Sequence, residues 1–128
     1  MSLRSPLGRV RGLGSAKNGV SHFIAQRLSA IALVPLCLWF VISVIRLAHA
    51  GGFDAYKAWV SSSVNAGLLV TLVGTALFHA QLGLQVVIED YVHCECKKLA
   101  SLIAVKFAAV LLTVLSAVAV IRVAFVGG

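Results

Sequence analysis

Three apolar stretches, each long enough to cross a hydrocarbon layer of about 30 Å, leave this chain few folds to choose from. They run from about Leu28 to Ala48, from about Val64 to Ile88 and from about Leu99 to Val126. In lipid each backbone amide must be paired within its own segment, so the stretches are helices. Composition agrees: 60% of the residues are hydrophobic and 12% charged, with a mean hydropathy of +1.00. That is too apolar for a soluble domain, and 128 residues are too few for two domains. The sequence predicts an all-α membrane protein with three transmembrane helices (about 27–48, 64–88 and 99–126) in a single membrane-anchor domain.

The first stretch reads as a retained helix. More than twenty polar, basic and glycine-rich residues precede it, and its apolar core exceeds a typical signal-peptide h-region. Pro6, Gly8, Gly12 and Gly14 mark an N-terminal arm over about residues 1–20. Ser21 suits a helix N-cap, and Pro35 should kink the first helix mildly. Between the first two helices, Gly51-Gly52 predicts a turn. Phe53, Tyr56 and Trp59 follow at three-residue spacing, which predicts a short interfacial helix with its rings at headgroup level.

The net charge of +7 raises the question of nucleic acid, and the placement of the charges answers it. Arg4, Arg9, Arg11, Lys17 and Arg27 precede the first helix without an acid among them, and Lys97 and Lys98 follow the second. By the positive-inside rule the N-terminus and the second loop face the cytoplasm (or a mitochondrial matrix), and the C-terminus faces the periplasm. Basic residues so placed touch anionic membrane lipids or a peripheral partner. No aromatic-interleaved basic module is present, so nucleic acid is not expected. Cys37 reads as a packing residue. Cys94 and Cys96 lie in the cytoplasmic loop, where thiols stay reduced, and His93-Cys94-Glu95-Cys96 matches no common zinc spacing.

Chemistry concentrates on the second helix. His79 lies within its apolar run, and Asp90-Tyr91 follows eleven residues later. Eleven residues advance a helix three turns plus about 20°, so Asp90 falls nearly under His79, roughly 16 Å away along the axis. An imidazole at that depth is expensive and therefore a functional candidate, although an interhelical hydrogen bond would also account for it. Ala76 and Gly83, one turn either way, leave room for a planar macrocycle edge, and low-spin b-type haem takes an axial histidine. His22, His49 and His93 do not match the depth of His79, so a second axial histidine would come from another polypeptide. Arg27 suits either a haem propionate or a flanking role at the interface. Tyr91 and Asp90 suit either the end of an apolar span or a quinone site, with the phenol donating to a quinone carbonyl.

Two motifs together resemble the small hydrophobic membrane-anchor subunit of succinate dehydrogenase (respiratory complex II) in its proteobacterial form. One is Arg9-Val-Arg-Gly-Leu-Gly-Ser-Ala16 with Gly19-Val-Ser-His22-Phe-Ile-Ala-Gln-Arg27-Leu-Ser-Ala30. The other is His79-x-x-x-Gly83-x-x-x-x-Ile88-Glu-Asp90-Tyr91-Val-His93. Essentially the whole chain is covered. The resemblance implies that His79 is an axial ligand of haem b, with the opposite ligand from the larger cytochrome b anchor subunit. It implies that Tyr91 hydrogen-bonds ubiquinone, with Asp90 supporting the site through a neighbouring arginine. Arg27 stands where the family has its arginine near the haem propionates, with Ser21 and His22 beside it; some members carry His-Asp where this chain has Ser21-His22. Positions 94 and 96 are small-residue sites in similar proteins.

The implied role is electron delivery to quinone in the tricarboxylic acid cycle and aerobic electron transport. The chain would sit in a bacterial inner membrane and dock a flavoprotein and an iron–sulfur subunit that oxidise succinate. It has no flavin-binding glycine fingerprint and no cysteine set for iron–sulfur clusters, so it is not catalytic alone. Two alternatives stay open: the anchor of a fumarate reductase, and a cofactor-free structural subunit of a membrane complex.

Overall fold

The computed structural model describes residues 16–125, and every regular element among them is a helix. Helix α1 spans Ala16–Ala50, α2 Phe53–Ser61, α3 Ser63–Tyr91 and α4 Glu95–Phe125. The three long helices are each apolar and long enough to cross a membrane. The chain is a multi-pass membrane protein. Most of the N-terminal arm expected from the sequence lies outside the described residues.

α1 begins earlier than the composition shift suggests. It is already helical at Ala16, so Ser21 lies inside the helix and is not its N-cap. Val20, Phe23, Ile24 and Leu28 continue the apolar spacing back through this segment, and the helix runs on despite the low propensity of Asn18, Gly19 and Ser21. α1 runs on through Pro35, which withholds the N–H that would have met the carbonyl of Ile31.

Gly51 and Gly52 end α1 with φ of 67° and 93°. The Gly51 amide closes on the Leu47 carbonyl at 3.2 Å. A left-handed backbone of this kind suits glycine and penalises branched side chains. Gly51→Val is therefore expected to cost about 1–3 kcal/mol. A thermal melt of the detergent-purified protein should show the loss, and an unchanged melting temperature would mean that the turn simply adopts another conformation.

α2 is the short helix expected between the first two spans, but its rings divide their work. Trp59 turns inward and stacks on Trp39 of α1, with centroids 5.5 Å apart and planes 22° from parallel. Phe53 and Tyr56 remain exposed, 6.3 Å apart. Of the three rings expected at headgroup level, two are thus exposed and the third packs on α1. Stacking buries area that Trp59 would otherwise leave at the edge, and it ties α2 to α1. Asn65, at the start of α3, donates from Nδ2 to the Trp59 carbonyl at 2.9 Å, which satisfies a group near the end of α2. Val60 is almost fully buried beneath this junction.

α3 is the middle element. It packs on α4 along one side and on α1 along the other, while α1 and α4 do not approach each other among the described residues. At Gly74 a Cβ would lie 3.6 Å from Thr113 Cγ2, an ordinary van der Waals contact, so α3 and α4 run close together there. Thr113 and Thr71 return their hydroxyls to the carbonyls of Ala109 and Gly67, both at 2.8 Å, which keeps them satisfied in an apolar surrounding.

This layered arrangement leaves little buried. Among the described residues Val60, Ala66 and Leu82 are the buried apolar side chains, and Ser29 and Ser43 the buried polar ones. Large apolar side chains such as Leu28, Phe107 and Val110 are more than half exposed. Surfaces of that kind are covered by lipid tails or by another membrane subunit.

Candidate functional site

His79 sits in the middle of α3, half-buried, on the side facing α1. Its Nδ1 lies 2.9 Å from Ser29 Oγ on α1. That hydroxyl also lies 3.0 Å from the Gln26 carbonyl, one turn back, and Ser29 as a whole is only 7% exposed. The other ring nitrogen, Nε2, has no hydrogen-bond partner among the described residues.

The α1 face that meets α3 here carries His22, Gln26 and Ser29, at the four- and three-residue steps that keep side chains on one side of a helix. Gln26 reaches the neighbourhood of Gly83, where an ideal Cβ would stand 3.7 Å from Gln26 Nε2. The open side of Gly83 is thus directed at α1. Ala76, one turn the other way, is half-buried. Two buried polar atoms on this face, His22 Nε2 and Gln26 Oε1, have no hydrogen-bond partner among the described residues. Buried orphans cost about 1–3 kcal/mol each, so a polar group from outside the described residues is a natural complement. Sequence reasoning named His22, Ala76, His79 and Gly83. It passed over Gln26 and Ser29, although their spacing from His22 was a visible signal on an otherwise apolar helix.

Asp90 and Tyr91 are the last two residues of α3. The helix is unbroken from Ser63, so the separation of roughly 16 Å from His79 to Asp90 expected of eleven residues applies. Both are exposed, Tyr91 at 78%. α3 ends when the Val92 amide meets the Ile88 carbonyl at 3.0 Å, and exposed His93 lies in the short link to α4. Gln85 holds Glu89 from one turn back, with Nε2 donating to Oε1 at 2.9 Å. Arg27 is exposed, and its guanidinium lies 4.4 Å from the centroid of the Phe23 ring, a cation–π contact within α1. Ser21 is exposed, six residues before Arg27.

A groove of about 780 Å³ lies toward the other end of α1, lined by Trp39, Ser43, Arg46, Trp59 and Asn65 among others. It shares no residue with the His79 cluster or with Asp90 and Tyr91.

The donor set suits one axial position of a haem better than a self-contained metal centre. Among the described residues no three His, Cys, Asp or Glu side chains gather where they could hold a metal ion. A lone half-buried imidazole with one nitrogen engaged and the other open offers one ligand to a metal that has its remaining ligands already.

The family described as succinate dehydrogenase/fumarate reductase transmembrane subunit matches residues 1–121. A succinate dehydrogenase hydrophobic membrane anchor subunit from Rickettsia bellii (strain RML369-C) is 37% identical over 118 residues, 91% of this chain and 93% of its own length. One from Rickettsia felis (strain ATCC VR-1525 / URRWXCal2) is 34% identical over 82 residues, 62% of this chain and 67% of its own. A succinate dehydrogenase membrane anchor subunit of Reclinomonas americana is 25% identical over 96 residues, 73% of this chain and 80% of its own. No solved structure matches. Matched from its first residue to near its last helix's end, this chain belongs to the succinate dehydrogenase/fumarate reductase transmembrane subunit family.

Proposed function

We propose that this chain is the small anchor subunit of a succinate:ubiquinone oxidoreductase in a bacterial inner membrane, with its N-terminus cytoplasmic and its C-terminus periplasmic. Its work is to hold haem b and ubiquinone and to dock the flavoprotein and iron–sulfur subunits. The observation that carries the reading is His79: a single imidazole deep in the central helix, held at Nδ1 by Ser29 and without a partner at Nε2 among the described residues.

In this reading His79 would be one ligand of haem b, and the larger cytochrome b anchor subunit would provide another. Bound there, the haem would supply one-electron redox chemistry. His22 and Gln26 bring hydrogen-bonding atoms that lack partners among the described residues, beside the same helix crossing. Arg27 and Ser21, toward the cytoplasmic end of α1, would offer a haem propionate a cation and a hydroxyl donor. Gly83 and Ala76 keep the flanks of His79 low. Exposed apolar faces on both sides of the three-helix layer suit coverage by the larger anchor subunit and by lipid.

Tyr91 and Asp90 make a separate quinone end. Reduction of ubiquinone to ubiquinol takes two electrons and two protons. The Tyr91 phenol would donate a hydrogen bond to one quinone carbonyl, stabilising the negative charge that builds on oxygen as electrons arrive. Asp90, exposed beside it, would orient a cation from a partner subunit. Electrons come from succinate through the flavoprotein and the iron–sulfur subunit, since this chain holds neither group's binding motif.

Purification through an affinity tag on this chain tests the whole reading. A flavoprotein, an iron–sulfur protein and a second membrane subunit are expected to come with it, showing a b-type haem band on reduction. Recovery with other partners, or with those partners but no b-type band, would defeat the proposal.

A further inference from the structure

We infer that Ser29 is the positioning residue that selects the tautomer of His79, and so determines which ring nitrogen is free to bind a metal. The inference rests on His79 being the axial ligand. It starts from the count of protons on one oxygen. A serine hydroxyl has a single proton to give. Ser29 Oγ lies 3.0 Å from the Gln26 carbonyl, which can only accept, so the hydroxyl proton is directed there. The same oxygen lies 2.9 Å from His79 Nδ1. With its proton committed, it meets Nδ1 as an acceptor, and Nδ1 must carry the ring's hydrogen. A neutral imidazole has one N–H, so Nε2 keeps its lone pair.

Three features make this an enforced arrangement. Ser29 is buried, so water does not compete for its oxygen. The carbonyl it serves lies on its own helix, one turn back, a contact that helix geometry supplies without recruiting any other element. His79 is on a different helix, so the bond also fixes the rotation of the imidazole relative to α1. Metal-bound histidines characteristically donate their second nitrogen's hydrogen to such an oxygen, which orients the ring and raises its basicity.

A more basic axial imidazole favours the ferric state. Removing the acceptor is therefore expected to raise the haem midpoint potential and loosen the haem. Threonine and valine have the same shape, so Ser29→Thr and Ser29→Val differ only by the hydroxyl, and Ser29→Ala gives a second hydroxyl-free variant if the branched residues crowd the crossing. Each variant of the full complex would be examined by potentiometric titration of the b-haem band, by the low-spin ferric EPR signal and by haem retained after detergent washing. Ser29→Thr is expected to match the parent. Ser29→Val and Ser29→Ala are expected to raise the midpoint, move the EPR signal and weaken haem retention by about ten- to a hundredfold. The inference falls if hydroxyl-bearing and hydroxyl-free variants share one midpoint and one EPR signal. That result would leave His79 as ligand untouched, whereas an unchanged haem signal after loss of His79 would remove the ligand assignment itself.

Discussion

Replacing His79 with leucine is expected to abolish the reduced b-type absorbance of the purified complex while the complex still assembles. The two halves of that expectation have separate physical reasons. Loss of an axial nitrogen removes a direct bond to iron. Disturbing even a supporting group around a metal ligand costs about ten- to a hundredfold in affinity, so loss of the ligand should exceed that. Assembly should survive because the chain itself loses little. Only the Ser29 contact to Nδ1 disappears, worth about 0.5–1.5 kcal/mol net, and Ser29 keeps its bond to the Gln26 carbonyl. Leucine is close to histidine in volume, so it fills the space left at the crossing. Difference spectra of equal amounts of co-purified subunits decide the matter. An unchanged b-type band would remove His79 as the ligand, and failure of the subunits to co-purify would point to a packing role.

Tyr91→Phe is expected to lower succinate–ubiquinone activity by about three- to tenfold, the kinetic equivalent of one lost hydrogen bond of about 0.5–1.5 kcal/mol. Succinate oxidation by a soluble artificial acceptor should be unaffected. The phenol is well suited to such a test. Tyr91 is 78% exposed at the end of α3 and makes no hydrogen bond among the described residues, so removing its oxygen takes nothing from the fold. Any effect must come from what the hydroxyl meets outside the described residues. Equal loss with both acceptors would indicate a damaged subunit interface and would count against the quinone assignment.

Much of this protein was legible in the chain because lipid simplifies the problem. A run such as Leu99 to Val126 offers no competing fold: its amides must pair locally, and helix is the result. The turn at Gly51-Gly52 and the short helix after it were equally readable, since glycine pairs and spaced aromatics are local signals. His79 stood out because a polar ring in an apolar run needs a reason. What could not be read were the pairings. Trp59 looked like one more interface ring, and its stack on Trp39 depends on the return angle of α2. Ser29 looked like a small residue in a motif. Its hydroxyl gained meaning from α3 crossing α1 at that height. Ser21 looked like a cap because the polar-to-apolar change was taken for the helix start, whereas α1 begins at Ala16.

The amino-acid sequence alone determined the class of fold, the number of spans and the residues able to carry chemistry, because each follows from local hydrogen bonding and from the cost of polarity in lipid. Only the tertiary structure decided that α3 lies between α1 and α4, and that one buried hydroxyl of α1 engages Nδ1 of His79. Those facts depend on helix crossings, which small residues such as Gly74 and Gly83 permit but do not specify.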